Sequence, residues 1–369
     1  MFKKYIYCTY LLSFLFIISC GKEGENQYHA PSSGPVNLIT VFSSEDTYQQ
    51  IEGSLSDSLL FGKIFPGLYF PPEIMFATRH FNSEDFNRFN TTRLILDVKS
   101  GAPKITFKRD AFAKPQGYVE VTGNSSDEIL NILRQNQDSL INFYRSVDRE
   151  FLLDGYKSNA RKEKDQLNEL GVSMVIPKDF RVAEANKNFV WFRKDQFNTI
   201  QNKDDQNGIV THQSQDILNI MVFKVPYAKN EVSQEDFYLV QDSIMKVYTK
   251  GDKEPVERYE KTSQGKDSIK VLVADHIQTE MNPMLRNFYD FKKLEEDENT
   301  ITYETQGYWS MTLTQMGGPF TAKLILDKKS KTLYVADGVM FAPLNQGQSK
   351  KRDYITSLES LFTTFKIKN

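Results

Sequence analysis

Hydrophobic positions along the chain predict helices and strands in alternation. Four segments place apolar residues three and four positions apart, as the buried face of a helix does. Ser44, Ser125 and Ser233 mark the starts of the first three, because a serine hydroxyl caps the free amides of a first turn. The apolar faces of the four predicted helices run from Tyr48 to Leu59, Ile129 to Phe151, Phe237 to Tyr248 and Tyr354 to Phe365.

Strand signals fill the stretches between these helices, where β-branched and aromatic residues are concentrated. Phe320, Ala322, Leu324 and Leu326 alternate with mostly polar neighbours, which predicts a half-buried strand. Runs of strands with helices between them favour an α+β fold class, with mainly antiparallel sheets and amphipathic helices packed on them in two sheet-plus-helix halves. The predicted strands are Arg93–Val98, Lys104–Arg109, Tyr118–Thr122, Val172–Ile176, Phe189–Arg193, Ile217–Val225, Ile269–Ala274 and several hairpin strands between Phe288 and Phe341.

Residues 1–19 have the pattern of a secretory signal peptide. Lys3 and Lys4 precede an almost unbroken apolar stretch from Ile6 to Ile18. A helix of that length spans about 20 Å, whereas the hydrocarbon core of a membrane is about 30 Å thick. A removable signal peptide therefore fits better than a transmembrane helix, and a short buried N-terminal helix is the alternative.

The sequence around Cys20 resembles the lipobox of bacterial lipoproteins. Ile17-Ile18-Ser19-Cys20-Gly21 places a branched apolar residue and a small residue before the cysteine. The resemblance implies that the sulfur of Cys20 receives a diacylglyceryl group, that the chain is cut before it, and that the new amine is acylated. Two or three acyl chains make a stable membrane anchor, whereas one chain binds marginally. The alternative is a free structural cysteine.

Residues 20–36 predict a flexible tether, because they are rich in Gly, Ser, Pro and polar side chains with almost nothing to bury. Lys22, Glu23 and Glu25 resemble the acidic export signal of surface lipoproteins in Bacteroidota, and a plain polar tether is the alternative. We expect a cell-envelope protein, lipid-anchored to the outer membrane on its periplasmic or surface face. An N-terminal half is expected at 37–170 and a C-terminal half at 171–369.

Composition excludes several classes of protein. The 369 residues are 40% hydrophobic and 25% charged, unlike a disordered chain or a polytopic membrane protein. Forty-six basic and 48 acidic side chains leave no excess positive charge for nucleic acid. Two cysteines, Cys8 and Cys20, exclude a disulfide scaffold and a multi-cysteine metal cage.

Catalytic signatures are missing from the sequence, which has no nucleophile elbow, zinc-protease helix, phosphate-binding loop or dinucleotide-binding glycine motif. The four histidines have no second His or Cys at a ligand-like spacing, so we expect no metal and no cofactor. A pair of carboxylates could still meet in three dimensions. The four are His29, His80, His212 and His276.

The stretch from Tyr303 to Phe320 is the most unusual part of the mature chain, since two glycines and a proline separate segments rich in aromatics. Two interpretations remain open, a stacking wall for a ligand or a hairpin turn with core aromatics. Arg352 begins the last predicted helix within a basic run that either faces solvent or meets an anionic partner. The candidate binding residues are Trp309, Met316, Gly317, Gly318, Pro319, Phe320 and Arg352.

Met316-Gly317-Gly318-Pro319-Phe320, with Asp337–Pro343 and Lys351–Tyr354, resembles the C-terminal signature of an uncharacterised Bacteroidota lipoprotein family, domain of unknown function 4837. Phe189–Arg193 and Pro226-Tyr227 also match its pattern. The family places an Arg-Gly pair before the tryptophan region, whereas this chain has Gln306-Gly307. The resemblance implies an envelope lipoprotein without an established activity.

Asp267-Ser268-Ile269 resembles the O-glycosylation sites of Bacteroidota envelope proteins, and we predict Ser268 in a polar loop as the candidate. Plain solvent-facing polar residues are the alternative.

The leading hypothesis is a lipid-anchored, non-enzymatic binding or assembly module. Its partners would be the membrane, through the acyl chains, and an envelope protein or glycan, through surface aromatics such as Trp191 or Trp309. The alternative is a lipid-anchored hydrolase with an unrecognised carboxylate or serine site. That alternative predicts a deep pocket where titratable groups converge near a nucleophile or water.

Overall fold

The computed structural model describes residues 29–56, 75–162, 165–203, 209–249, 253–261, 268–276, 280–313, 316–342 and 351–368. Cys20 and the predicted signal peptide lie outside these residues, as does Leu59 of the first predicted helix. No helix in the described ranges is long and apolar enough to cross a membrane.

A five-stranded sheet organises the first half, with its strands in the order β3-β2-β4-β7-β5. β3, β2, β4 and β7 run parallel, and β5 pairs antiparallel with β7. β1 pairs with β6 at the edge of this half, where the described chain begins. The strands are β1 (Ala30–Pro31), β2 (Leu38–Ser43), β3 (Ala77–Asn82), β4 (Leu94–Ser100), β5 (Lys104–Arg109), β6 (Ala113–Lys114) and β7 (Gly117–Gly123).

Serine caps start two of the helices in this half as predicted, with the Ser44 and Ser125 hydroxyls accepting from the amides of Thr47 and Glu128. The long helix predicted after Ser125 is two helices, because the backbone of Asn136 leaves the helical region with φ −111° and ψ 17°. The first, third and fourth helices bury one face of the sheet. The helices are α1 (Glu45–Ser54), α2 (Phe86–Phe89), α3 (Ser126–Gln135) and α4 (Gln137–Ser158).

A seven-stranded antiparallel sheet organises the second half, in the order β14-β15-β16-β17-β11-β10-β9. Two small two-stranded sheets, β12 with β13 and β8 with β18, accompany it. The strands are β8 (Val172–Ser173), β9 (Arg181–Asn186), β10 (Phe189–Lys203), β11 (Ile209–Pro226), β12 (Lys253–Lys261), β13 (Ser268–His276), β14 (Asp290–Glu296), β15 (Thr300–Ser310), β16 (Gly317–Asp327), β17 (Thr332–Phe341) and β18 (Lys366–Ile367).

Both faces of the large sheet are covered by helices. Ser233 and Asp236 form the predicted capping box at the start of the helix on one face. Because a second helix lies on the other face, Thr321 and Ile325 are buried as well as Leu324, so the strand predicted to be half-buried is covered on both sides. The helices of this half are α5 (Asp165–Leu170), α6 (Gln234–Tyr248) and α7 (Lys351–Phe362), with α6 and α7 on opposite faces.

α7 also joins the two halves, because its outer side packs against α4. Glu359 of α7 forms ion pairs with Arg145 and Arg149 of α4. The Asn37 side-chain amide donates to Asp353 Oδ1 at 2.8 Å. α7 therefore lies between the large sheet and the first half of the chain.

The predicted α+β class is confirmed, with sheets that are antiparallel for the most part. The parallel strands of the first sheet were not foreseen, because hydrophobic alternation reports which face is buried and not the direction of a neighbour. The strand predicted at Val172–Ile176 ends at Ser173. Ser268, predicted in a polar loop, is the first residue of β13 and pairs with Lys261.

Candidate functional site

Two of the candidate binding residues, Trp309 and Phe320, lie in the core between α6 and the large sheet. Trp309 is 2% exposed and its indole N–H donates to the Met340 carbonyl at 3.1 Å. Phe320 is fully buried, and its ring packs edge-on against Tyr289 with centroids 4.7 Å apart. A ligand can therefore reach the edge of Trp309 and not a free ring face.

Gly317 and Gly318 allow the backbones of neighbouring strands to come close together. A Cβ added to Gly318 would lie 2.1 Å from the Met340 carbonyl oxygen, and one added to Gly317 would lie 2.8 Å from that of Trp309. Pro319 continues the same strand opposite Tyr308. These three residues lie in β16 and not in the predicted turn, and the aromatics beside them, Trp309 and Phe320, are core residues.

Arg352 is remote from this hairpin core, because it lies in the first turn of α7 on the other face of the large sheet. Its Nε lies 3.5 Å from Asp353 Oδ1. Trp309 and Arg352 thus lie on opposite faces of the large sheet, and the structure does not bring the candidate binding residues into one site.

A pocket of about 160 Å³ opens where α6 ends and the sheet continues past it. Trp191 and Arg193 of β10 form one wall and Met316 another, and Trp309 closes the floor. Trp191, Trp309 and Met316 are separate candidates in the sequence, whereas Arg193 enters only through the family resemblance of Phe189–Arg193 and the α6 residue Met245 carries no signal. The pocket is the place where the structure brings predicted aromatics together.

Hydrogen bonds and stacking hold the pocket walls in place. The Trp191 indole N–H donates to Asn219 Oδ1 at 2.9 Å, and Arg193 Nη2 donates to Asp195 Oδ1 at 2.6 Å. Tyr248, at the end of α6, stacks on Phe189 at 3.8 Å between centroids. A preformed apolar cavity of about 150 Å³ is large enough for a benzene-sized group. The pocket is therefore suited to one apolar side chain of a partner.

A buried carboxyl group lies behind the pocket. Asp337 is 1% exposed, accepts a hydrogen bond from Gln241 Nε2 at 2.9 Å, and its other oxygen has no partner among the described residues. Burial raises the pKa of Asp337 to about 7, and the bond from Gln241 offsets this only in part. Asp337 pairs across the strands with Met221, which lines the pocket.

We expect stability to fall with rising pH because of Asp337. Its folded-state pKa exceeds the ordinary value of 3.8, so the folded protein holds the proton more tightly and this contribution is complete below about pH 4. It is lost as the pH rises through about 7, which costs about 2.5 kcal/mol between pH 5 and 8. Measured by urea denaturation at pH 5 and pH 8, the Asp337→Asn protein should not lose this stability as the pH rises. A stability difference between the two proteins that stayed the same at both pH values would contradict the expectation.

Ser43, His80 and Glu45 are aligned like a serine-protease triad at the end of β2. Ser43 Oγ lies 3.1 Å from His80 Nε2, and His80 Nδ1 lies 3.5 Å from Glu45 Oε2. The hydroxyl of Ser43 is fully buried and also donates to the Ser44 carbonyl at 3.0 Å, while the His80 ring stacks on Tyr48. A substrate has no access to this hydroxyl, so the group serves the packing of α1 on the sheet edge.

Asp97 and Glu120 form a carboxylate pair on neighbouring strands of the first sheet. Lys99 Nζ lies 2.7 Å from Asp97 and 2.8 Å from Glu120, and the Tyr118 hydroxyl donates to Asp97 at 2.6 Å. The hydrogen bond from Lys99 lowers the pKa of Glu120, so this carboxylate stays ionised beside the lysine that it shares with Asp97. Across the described ranges, no three His, Cys, Asp or Glu side chains are grouped as metal ligands.

Comparison with family profiles shows the family of the chain. The profile of the family described as Domain of unknown function (DUF4837) matches residues 159–364, more than half of the sequence. The chain belongs to this family. The match confirms the family resemblance of the Met316–Phe320 block.

A second profile, described as Domain of unknown function (DUF8532), matches residues 32–157. The two matches meet at the C-terminal end of α4, and the boundary predicted at residues 170 and 171 stays a prediction. No curated protein matches the chain.

Proposed function

We propose that the protein is a lipoprotein of the cell envelope, anchored to the outer membrane through Cys20, that acts as a non-enzymatic binding or assembly module. The pocket between Trp191 and Met316 is the observation that carries the binding role. The lipobox-like sequence supports the anchor, and the polar residues that follow it support a tether.

The geometry of the pocket favours a protein partner over a glycan. Glycans stack on open aromatic faces, whereas Trp309 is buried and Trp191 is half-buried with its indole N–H bonded to Asn219. One apolar side chain inserted into a preformed pocket is the usual anchor of a protein interface. The alternative role as a hydrolase gains nothing from Ser43, because its hydroxyl is buried.

We expect Trp191→Ala to weaken partner binding at least 10-fold, because a wall of the pocket and its hydrogen bond to Asn219 are lost. A photoreactive residue placed at Met316 in cells should crosslink a defined envelope protein, and Trp191→Ala should abolish that product. Phe197→Ala is the matched control, since Phe197 lies on the same strand, is 76% exposed and does not line the pocket.

Two results would count against the proposal. One is crosslinking that persists in the folded Trp191→Ala protein, which would exclude the pocket. The other is an uncut, unacylated N terminus in native membranes by mass spectrometry, which would exclude the anchor.

A further inference from the structure

A larger cavity of about 500 Å³ lies where the two family-matched regions meet. Phe151, Leu152 and Tyr156 of the last turns of α4 form its main wall. Pro31 from the first half and Pro177 from the second close its sides. Cavities of this size at such junctions are typical of binding sites for small molecules.

Within the described residues, two charged side chains around the cavity have ion-pair partners and a third has none. Asp179 is paired with Lys194 at 2.7 Å, and Asp154 with Lys157 at 3.8 Å. Lys114 is exposed at the rim and makes no ion pair within the described residues.

The wall also contains a buried hydroxyl without a partner. Ser32 is 8% exposed, and its Oγ has no hydrogen-bond partner in the part of the chain that the structure describes. An apolar cavity with an unpaired cation at its rim suits a ligand with an apolar body and a negatively charged head.

The cavity also lies close to the predicted membrane anchor along the chain. Pro31 and Ser32 form part of its wall, and Ala30 lies ten positions after Cys20 in the chain. If the tether predicted from the sequence is a flexible coil, this length of chain spans roughly 17 Å on average and about 35 Å when extended. The cavity mouth therefore lies within reach of lipid head groups, a step that rests on the proposed anchoring.

We propose that this cavity binds a single-chain lipid with an anionic head, taken from the membrane to which the protein is tethered. The acyl chain lies against Phe151, Leu152 and Tyr156, and the head group meets Lys114. The two halves of the protein then share one ligand.

The test is binding of a fluorescent 16-carbon fatty acid to the full-length, membrane-purified protein in nanodiscs. Binding should be saturable, and Gly155→Trp should weaken it at least 10-fold by filling the cavity. Gly53→Trp is the matched control, because both glycines lie in helices and an added Cβ at either meets no atom within 4 Å. Lys114→Glu should weaken binding of the fatty acid and leave binding of the corresponding fatty alcohol unchanged.

Absence of saturable binding, or equal loss in both tryptophan variants, would overturn the proposal. Binding by Cys20→Ser protein but not by acylated protein would also overturn it, because the protein's own acyl chain would then occupy the cavity. Trp191→Ala should bind the fatty acid normally, so failure of the partner pocket and failure of the lipid cavity are separable.

Discussion

Replacing Glu359 with glutamine is expected to lower the free energy of unfolding by about 3–5 kcal/mol, because it leaves two partly buried arginines without a counter-charge. Glu359 pairs with Arg145 and with Arg149, whose Nη2 lies 2.9 Å away. Burial by itself would raise the pKa of Glu359, but the two guanidinium groups outweigh it and hold the pKa at about 2.

The substitution should weaken the contact between α7 and α4, which joins the two halves, more than the rest of the structure. Urea denaturation of Glu359→Gln should show the first half unfolding before the second, since α7 is the element that both share. Glu150→Gln is the matched control, because Glu150 pairs with Arg109 on the outer, more exposed side of α4 and such pairs contribute less than about 1 kcal/mol. A loss at Glu359 as small as that at Glu150 would show that the buried charges do not hold the halves together.

Gly318→Ala is expected to destabilise the protein by about 3 kcal/mol, the upper part of the usual range for overpacking. The new methyl group would lie 2.1 Å from the Met340 carbonyl oxygen, which also accepts the Trp309 indole N–H. That oxygen belongs to a central strand, β17, and cannot move without separating it from β11 or β16.

The effect of Gly318→Ala can be compared with Gly53→Ala, measured by thermal and urea denaturation. Gly53 is helical and has open space around it, so alanine there should add up to about 1 kcal/mol of stability. A Gly318→Ala protein as stable as wild type would contradict the expected clash with the Met340 carbonyl oxygen.

Local patterns in the sequence were sufficient to predict helix starts and the buried face of a strand. The caps at Ser44, Ser125 and Ser233 depend on residues three positions apart, so the sequence alone contains both partners. Phe320 and Leu324 alternate with mostly polar neighbours, and this pattern likewise predicted that one face of β16 lies in the core.

The site could not be predicted in the same way, because its residues meet only through the topology. Trp191, Met245 and Trp309 come from β10, α6 and β15, and no spacing links them. Phe320 was a candidate for a ligand wall on composition, yet the same aromatic character suits a core position. Asp337 belongs to the family-like block Asp337–Pro343, but its burial could not be predicted, because it depends on Gln241 and the cover that α6 provides.

The position of α7 has a consequence for the order of assembly during synthesis. α7 follows every strand of the two large sheets along the chain, yet α4 of the first half needs it as a covering layer. The first half therefore leaves the ribosome well before its last layer is made, and the long sequence separation slows the closing step. Folding should therefore be complete only when α7 docks. A chain that stops before Lys351 would leave α4 of the first half and the large sheet of the second half without the helix that covers both.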